Sequence, residues 1–344
     1  MSSALITGLL PWHNSAWQQA QTQLEAGQFS HATLISAGAD TGKRHFALML
    51  AQRILCRSPQ QGFACGACVS CKLNAAGNNP DLMLVAPEEK SKIIKVDQIR
   101  ELKKYIETTS HALGKRIIVL DTAEHLNVNG ANALLKSLEE PPADVVFLLL
   151  SDRPRSVLAT ISSRCVSLKL PAPDKQQALD WLQAQLPQSK GERLEYALDY
   201  TQGRPMAALA VLSSDQDSEQ EQFGVALLKT LRHEELATRT AGRYYKTHAG
   251  ELLETLAYWL SSLAKFQVTG NQHVLKGDSL HQAANLLNTA NPDSGRQARR
   301  LLQLYEQVSQ AQTQLAGGGN PNMQLLLEDL LLQLQSLSGK ELQA

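Results

Sequence analysis

The sequence has no excess of charge of either sign: Lys and Arg together number 33, as do Asp and Glu, over 344 residues. Such a balance excludes a strong global attraction to nucleic acid and leaves only a local basic face for that role. Long apolar runs are missing too. Val145 to Leu150, among the longest, falls far short of the roughly 20 residues that a membrane helix needs. The opening segment, Met1 to Gln18, has no basic stretch ahead of an apolar one. A secretory leader is therefore not expected, and the chain is expected to work in the reducing cytoplasm, without a membrane partner. From Pro171 onward no run reads as a buried strand. Cysteines number only five, yet four of them fall within sixteen residues.

Those four are Cys56, Cys65, Cys68 and Cys71, in the spacing C-x8-C-x2-C-x2-C. Two short x2 steps let tight turns aim successive sulfurs at one point, and Pro59, Gly62 and Gly66 supply turn chemistry around them. Four thiolates suit a structural, tetrahedral zinc ion. An iron–sulfur cluster accepts the same ligands, whereas disulfides do not suit a reducing compartment. Cys165 stands alone and reads as a small buried residue.

The first half alternates strand and helix signals. Short apolar runs at residues 32–35, 82–85, 116–120 and 145–150 read as strands. Helical spacing follows through Phe46, Leu48, Leu50 and Ile54, then Val96, Ile99, Leu102 and Ile106, then from Asn127 to Leu138. This order predicts an α/β domain, a parallel sheet covered by helices. Beyond it the pattern is helical: residues 175–186, 192–200, 206–212, 223–231, 252–266, 280–289, 297–315 and 324–337. The polar, acidic stretch 213–221 reads as a linker, and Gly317 to Pro321 as a break between the last two helices.

Two stretches of the α/β half are informative for what they lack. Ala37-Gly38-Ala39-Asp40-Thr41-Gly42-Lys43-Arg44 lies between a strand and a helix, where a phosphate-binding loop belongs. Gly42 and Lys43 fit such a loop, but Ala37 stands at the first glycine and Arg44 at the hydroxyl residue that would hold magnesium. Arginine cannot ligate a cation. The strand Ile117 to Asp121 resembles one that presents a magnesium-coordinating aspartate. Thr122, not glutamate, comes next, and Glu124 is offset by two residues. Asp121 could equally cap the turn that follows.

Residues 132–142, Asn-Ala-Leu-Leu-Lys-Ser-Leu-Glu-Glu-Pro-Pro, together with Ile161-Ser162-Ser163-Arg164-Cys165, resemble the signatures of bacterial sliding-clamp-loader subunits. The four-cysteine insertion falls at the same place in that family. The resemblance is strong over about residues 10 to 210 and weaker over the C-terminal helices. It implies an AAA+ fold divided as 1–170 (α/β nucleotide-domain core with a zinc module at about 56–71), 171–212 (small helical lid) and 213–344 (all-α collar). It matches Gly42 and Lys43 to the phosphate loop, Asp121 to the magnesium aspartate, Ser151 to a sensor position, and Met206 to a lid position that carries arginine in active subunits. Arg164 matches the arginine finger that acts on a neighbouring subunit; the alternative for it is a pairing with Glu139 or Glu140 inside its own domain. The resemblance thus implies a non-hydrolysing subunit with zinc and, at most, a degenerate ATP site. Its partners would be gamma/tau-type ATPase subunits and a delta subunit in a hetero-pentameric ring that loads a sliding clamp onto primer-template DNA.

Two other functions stay open. One is an ATP-hydrolysing gamma/tau-like subunit or another AAA+ motor, against which stand Arg44, Thr122 and Met206. The other is a zinc protein that reads DNA sequence. Against it, the segment Arg57 to Lys72 has only its two end residues as basic groups, too few to track phosphates.

Overall fold

The computed structural model describes residues 8–88, 93–107, 115–142, 144–213, 217–290, 293–316 and 322–338. The chain divides into two compact units, 1–177 and 178–344.

The first unit is built on five parallel strands: β1 (Ala32–Ser36), β2 (Leu82–Val85), β3 (Arg116–Asp121), β4 (Val145–Ser151) and β5 (Val166–Lys169). They lie in the order β2-β3-β4-β1-β5. Parallel neighbours need crossover connections, and after the leading helix α1 (Asn14–Glu25) helices supply them: α2 (Lys43–Leu55), α3 (Val69–Ala75), α4 (Val96–Glu107), α5 (Val128–Glu139) and α6 (Ala159–Ser162). The expected strands and helices of this half are all present.

Alternate residues of β3 and β4 feed two cores. Ile118, Leu120, Phe147 and Leu149 pack with Ile99 and Leu102 of α4 and Leu134 and Leu138 of α5. Ile117, Val119, Leu148 and Leu150 pack with Trp17 and Ala20 of α1 and Phe46 and Leu50 of α2. Burial on both faces explains why these strands read as unbroken apolar runs. α5 starts where Asn127 caps it, its side chain accepting from the Gly130 N–H at 2.7 Å.

The sequence pattern missed β5. It is an edge strand of four residues with only Leu168 buried, so it has no apolar run to show. α1 was missed as well.

The second unit is helical, as expected, with no strand among its described residues. It contains most of α7 (Lys175–Gln185), then α8 (Gly191–Tyr200), α9 (Pro205–Ser213), α10 (Asp217–Leu231), α11 (Ala237–Tyr244), α12 (Ala249–Thr269), α13 (Asp278–Ala290), α14 (Ser294–Ala316) and α15 (Met323–Ser336). Ala178, Leu182, Leu194, Leu198 and Ala208 form one small core. A larger one gathers leucines of α10 and α12–α15 around Trp259. Tyr200 of α8 reaches α12 through its hydroxyl, 2.9 Å from Thr255 Oγ1, and Arg204 pairs with Glu254 at 3.1 Å. The acidic stretch expected as a linker is shorter than thought, because α10 already begins at Asp217. The break at Gly317 to Pro321 lies outside the described residues. Among the described residues no helix is long and apolar enough to cross a membrane.

A buried amide fixes the end of the cysteine segment to the sheet. Asn79 Nδ2 donates to Ser70 Oγ at 3.1 Å and Asn74 Oδ1 at 2.8 Å, and Asn79 Oδ1 accepts from the Asp81 N–H at 3.0 Å. Asn79→Ala strands these groups in the interior. It should cost about 1–3 kcal/mol in urea unfolding monitored by circular dichroism. Wild-type stability would show that the network is not holding α3 to β2.

Candidate functional site

The carboxyl ends of β1, β3 and β4 carry Ser36, Asp121 and Ser151, where α/β sheets place their ligand crevice. β1 runs through residues 37–42 into α2. The Ala37 N–H donates to the Ser151 carbonyl at 3.1 Å, Thr41 Oγ1 to the Gly38 carbonyl at 2.8 Å, and Trp12 Nε1 to the Thr41 carbonyl at 2.9 Å. Gly42 has φ +95°, and a β-carbon on it would lie 2.1 Å from Leu10 Cδ1. Glycine is therefore required there both for its backbone angle and for the apolar side chain packed against it.

The charges of this loop are spent on partners within the unit. The Lys43 ammonium, nearly buried, donates to Asp152 Oδ1. Burial pulls it below the usual lysine range, and the carboxylates of Asp121, Asp40 and Glu124 offset this only in part. Arg44 Nε lies 3.6 Å from Asp121 Oδ2. Burial pushes the Asp121 carboxyl up, against the pull of Arg44, Lys43 and His125. A guanidinium thus faces the carboxylate that a magnesium ion would need. Glu124 Oε1 accepts from the N–H groups of Asp152 (2.8 Å) and Arg153 (3.1 Å), so it clamps the loop after β4. Ser151 is fully buried, its Oγ accepting from the Arg153 N–H at 3.1 Å. Gly42, Lys43 and Asp121 do share one end of the sheet, as the sequence suggested. Asp152 was missed, although it directly follows the β4 run.

The four cysteine sulfurs converge, every pair within 4.8 Å. Cys65 Sγ lies 4.0 Å from Cys71 Sγ, and Cys56 Sγ accepts from the Cys65 N–H at 3.2 Å. Tetrahedral zinc with bonds of about 2.3 Å would set its sulfurs about 3.8 Å apart, so the donor set and its spacing fit such an ion. Backbone N–H groups of Ala67 and Cys68 pull the Cys65 thiol down. Burial pushes Cys68 up, but the N–H groups of Arg57 and Cys71 and the neighbouring thiols outweigh it and bring it to about 6. Cys165 stays apart from them, half-buried, its thiol pushed up to about 11 by burial.

Arg164 ends the turn after α6. Its Nε donates to Glu139 Oε1 at 2.7 Å, its Nη2 reaches the same oxygen, and its Nη1 donates to the Thr160 carbonyl at 2.8 Å and to Ser163 Oγ at 3.3 Å. None of these partners belongs to the phosphate-type loop. Met206 lies in the first turn of α9, half-buried.

The model of a family described as "DNA polymerase III, delta subunit" matches residues 12–174, and one for its C-terminal region matches residues 214–336. DNA polymerase III subunit delta' of Pseudomonas aeruginosa is 34% identical over 96% of this chain and 98% of its own length. The Escherichia coli subunit delta' is 31% identical over 94% and 95%. The tau subunit of Bacillus subtilis, 31% identical, matches only 42% of this chain and 25% of its own. The chain belongs to the delta-prime family of DNA polymerase III clamp-loader subunits. Its first unit is accordingly an AAA+ α/β domain carrying a four-cysteine insertion.

One buried group beside the loop makes a pH test possible. His13 is fully buried, edge-on to Phe46 with ring centroids 5.5 Å apart, and neither ring nitrogen has a partner. Burial, then the charge of His45, lowers its pKa from 6.5 to about 4. Between those values the unfolded chain binds a proton that the folded chain refuses. Stability from this group is therefore complete above about pH 6.5 and falls as the pH drops toward 4, by about 3 kcal/mol in total. His13→Phe should flatten this part of the pH–stability curve measured by urea unfolding. An unchanged slope would place the proton elsewhere.

Proposed function

We propose that the chain is a non-hydrolysing subunit of a clamp-loading ring that supplies Arg164 to ATP held by an adjoining gamma/tau-type subunit. Through that ring, completed by a delta subunit, it helps load the sliding clamp onto primer-template DNA in the bacterial cytoplasm. The observation that carries this reading is the internal pairing of Lys43 with Asp152 and of Arg44 with Asp121. Both positions that would serve a phosphate or its magnesium ion are engaged by groups of the chain itself. Family membership supplies the context of a multi-subunit loader. Residues 171–212 would be the lid and 213–344 the collar that closes the ring.

The physical division of labour is simple. Hydrolysis within a subunit needs a cation site and an oriented water, and Arg44 and Thr122 stand where those functions would sit. Acting on a neighbour needs only a guanidinium at the right place across an interface, where it meets charge building on the transferring phosphoryl group. The decisive experiment is reconstitution of the loader with Arg164 variants. Arg164→Ala should fold and assemble normally, because one partly exposed charge is a small part of a ring interface. It should lower turnover at the adjoining ATP site by about a thousandfold. Arg164→Lys should rescue poorly, since a point charge lacks the planar fork. Wild-type turnover with Arg164→Ala would refute the assignment.

For the cysteine cluster we infer one structural zinc on Cys56, Cys65, Cys68 and Cys71. Four thiolates close the coordination shell and would tie the loop after α2 to the start of α3. Elemental analysis should return about one zinc per chain, and Cys68→Ser combined with Cys71→Ser should abolish it. A native protein containing iron and labile sulfide instead of zinc would favour the cluster alternative.

A further inference from the structure

The guanidinium of Arg164 has five N–H donors. Four of them are engaged in its own domain: Nε and one of Nη2 on Glu139 Oε1, and both of Nη1 on the Thr160 carbonyl and Ser163 Oγ. One Nη2 N–H is left over. A finger that bridges two phosphate oxygens needs two donors pointing at them. Arg164 in this conformation therefore has to let go of at least one partner before it can act. The partners differ in what holding them means. Thr160 and Ser163 are near neighbours in sequence, and their acceptors travel with the finger's own turn. Glu139 comes from the end of α5, a different element, and carries the only opposing charge in the group.

We propose that Glu139 is a positioning residue for Arg164: it holds the finger in a retracted orientation, and ring closure has to break this pair for the guanidinium to reach ATP on the neighbouring subunit. The proposal rests on the reading of Arg164 as a trans-acting finger. The side chains are 32% and 47% exposed, so water and salt screen the pair and its hold is modest. That strength suits a device that must yield. A deeply buried pair would lock the finger, and an unpaired arginine would be available before clamp and DNA arrive. The contact also links the two motif segments on which the family resemblance rests, residues 132–142 and 161–165. Glu139 ends the helix of the first, and Arg164 lies in the second.

The test has two parts. In the isolated, 15N-labelled chain, the Arg164 Nε–H signal should be protected from solvent exchange, and Glu139→Ala should remove the protection. In the reconstituted loader, Glu139→Ala should raise ATP turnover without clamp or DNA by about two- to fivefold, as befits a half-exposed ion pair, and leave the fully stimulated rate unchanged. Glu139→Gln, which keeps an acceptor without charge, should fall between. In an Arg164→Ala background Glu139→Ala should have no effect on turnover, because nothing remains to be held. A rise that persists without Arg164 would overturn the proposal. So would a fall with Glu139→Ala, which would make the carboxylate an aid to the extended finger, or an unprotected Nε–H in the wild-type chain. Wild-type turnover with Arg164→Ala alone would instead remove the finger itself, while the exchange measurement would still report on the pair.

Discussion

Two ion pairs engage the charged groups at one end of the sheet, and the proposed function depends on them. Lys43 meets Asp152, and Arg44 faces Asp121 at 3.6 Å. An ATP site works by keeping cationic groups and a metal-ready carboxylate under-satisfied until the nucleotide arrives. Here the opposite charges have found each other. Burial sharpens the point for Lys43 and Asp121, where an unpaired ion would be costly, while Arg44 and Asp152 remain partly exposed. The packing of Leu10 against Gly42 and of Trp12 against the Thr41 carbonyl further commits the loop to intramolecular contacts.

The surrounding elements of the first unit position these groups. β3 and β4 bury both faces and so fix Asp121 and Ser151 at a common edge of the sheet. Glu124 holds the loop after β4 by two N–H groups and thereby sets the place of Asp152. The cysteine segment leaves α2 and returns to β2 through the Asn79 network, an insertion that closes on itself. Arg164 belongs to another constellation, between α5 and α6. On the proposed reading, this separation is what allows a subunit without its own hydrolytic centre to act on a neighbour.

Much of this was legible in the sequence, and the exceptions have physical reasons. Buried parallel strands announce themselves, because residues such as Ile117 to Leu120 and Val145 to Leu150 must be apolar on both faces. The converging cysteines were legible because short x2 spacings limit where the sulfurs can go. β5 was not, because an edge strand with one buried residue need not look like anything. α11 was not either, because its exposed face is polar and its buried residues are small, chiefly Ala237, Thr240 and Ala241. The substitutions at Ala37, Arg44 and Thr122 showed that the loop departs from a working site. They did not show what fills the gap, because Lys43 and Asp152 are 109 residues apart and only the β1–β4 pairing brings them together. The Arg164–Glu139 contact was among the readings the sequence allowed, with Glu139 or Glu140 as partner, and side-chain direction selects Glu139.

The central claim is that the chain's own nucleotide site is electrostatically satisfied from within and does no hydrolysis. It is tested most directly by steady-state ATP turnover of the purified isolated chain in magnesium, alongside Lys43→Ala. The account requires both proteins to show no turnover above background. Sustained magnesium-dependent turnover by the wild-type chain, lost on Lys43→Ala, would contradict it.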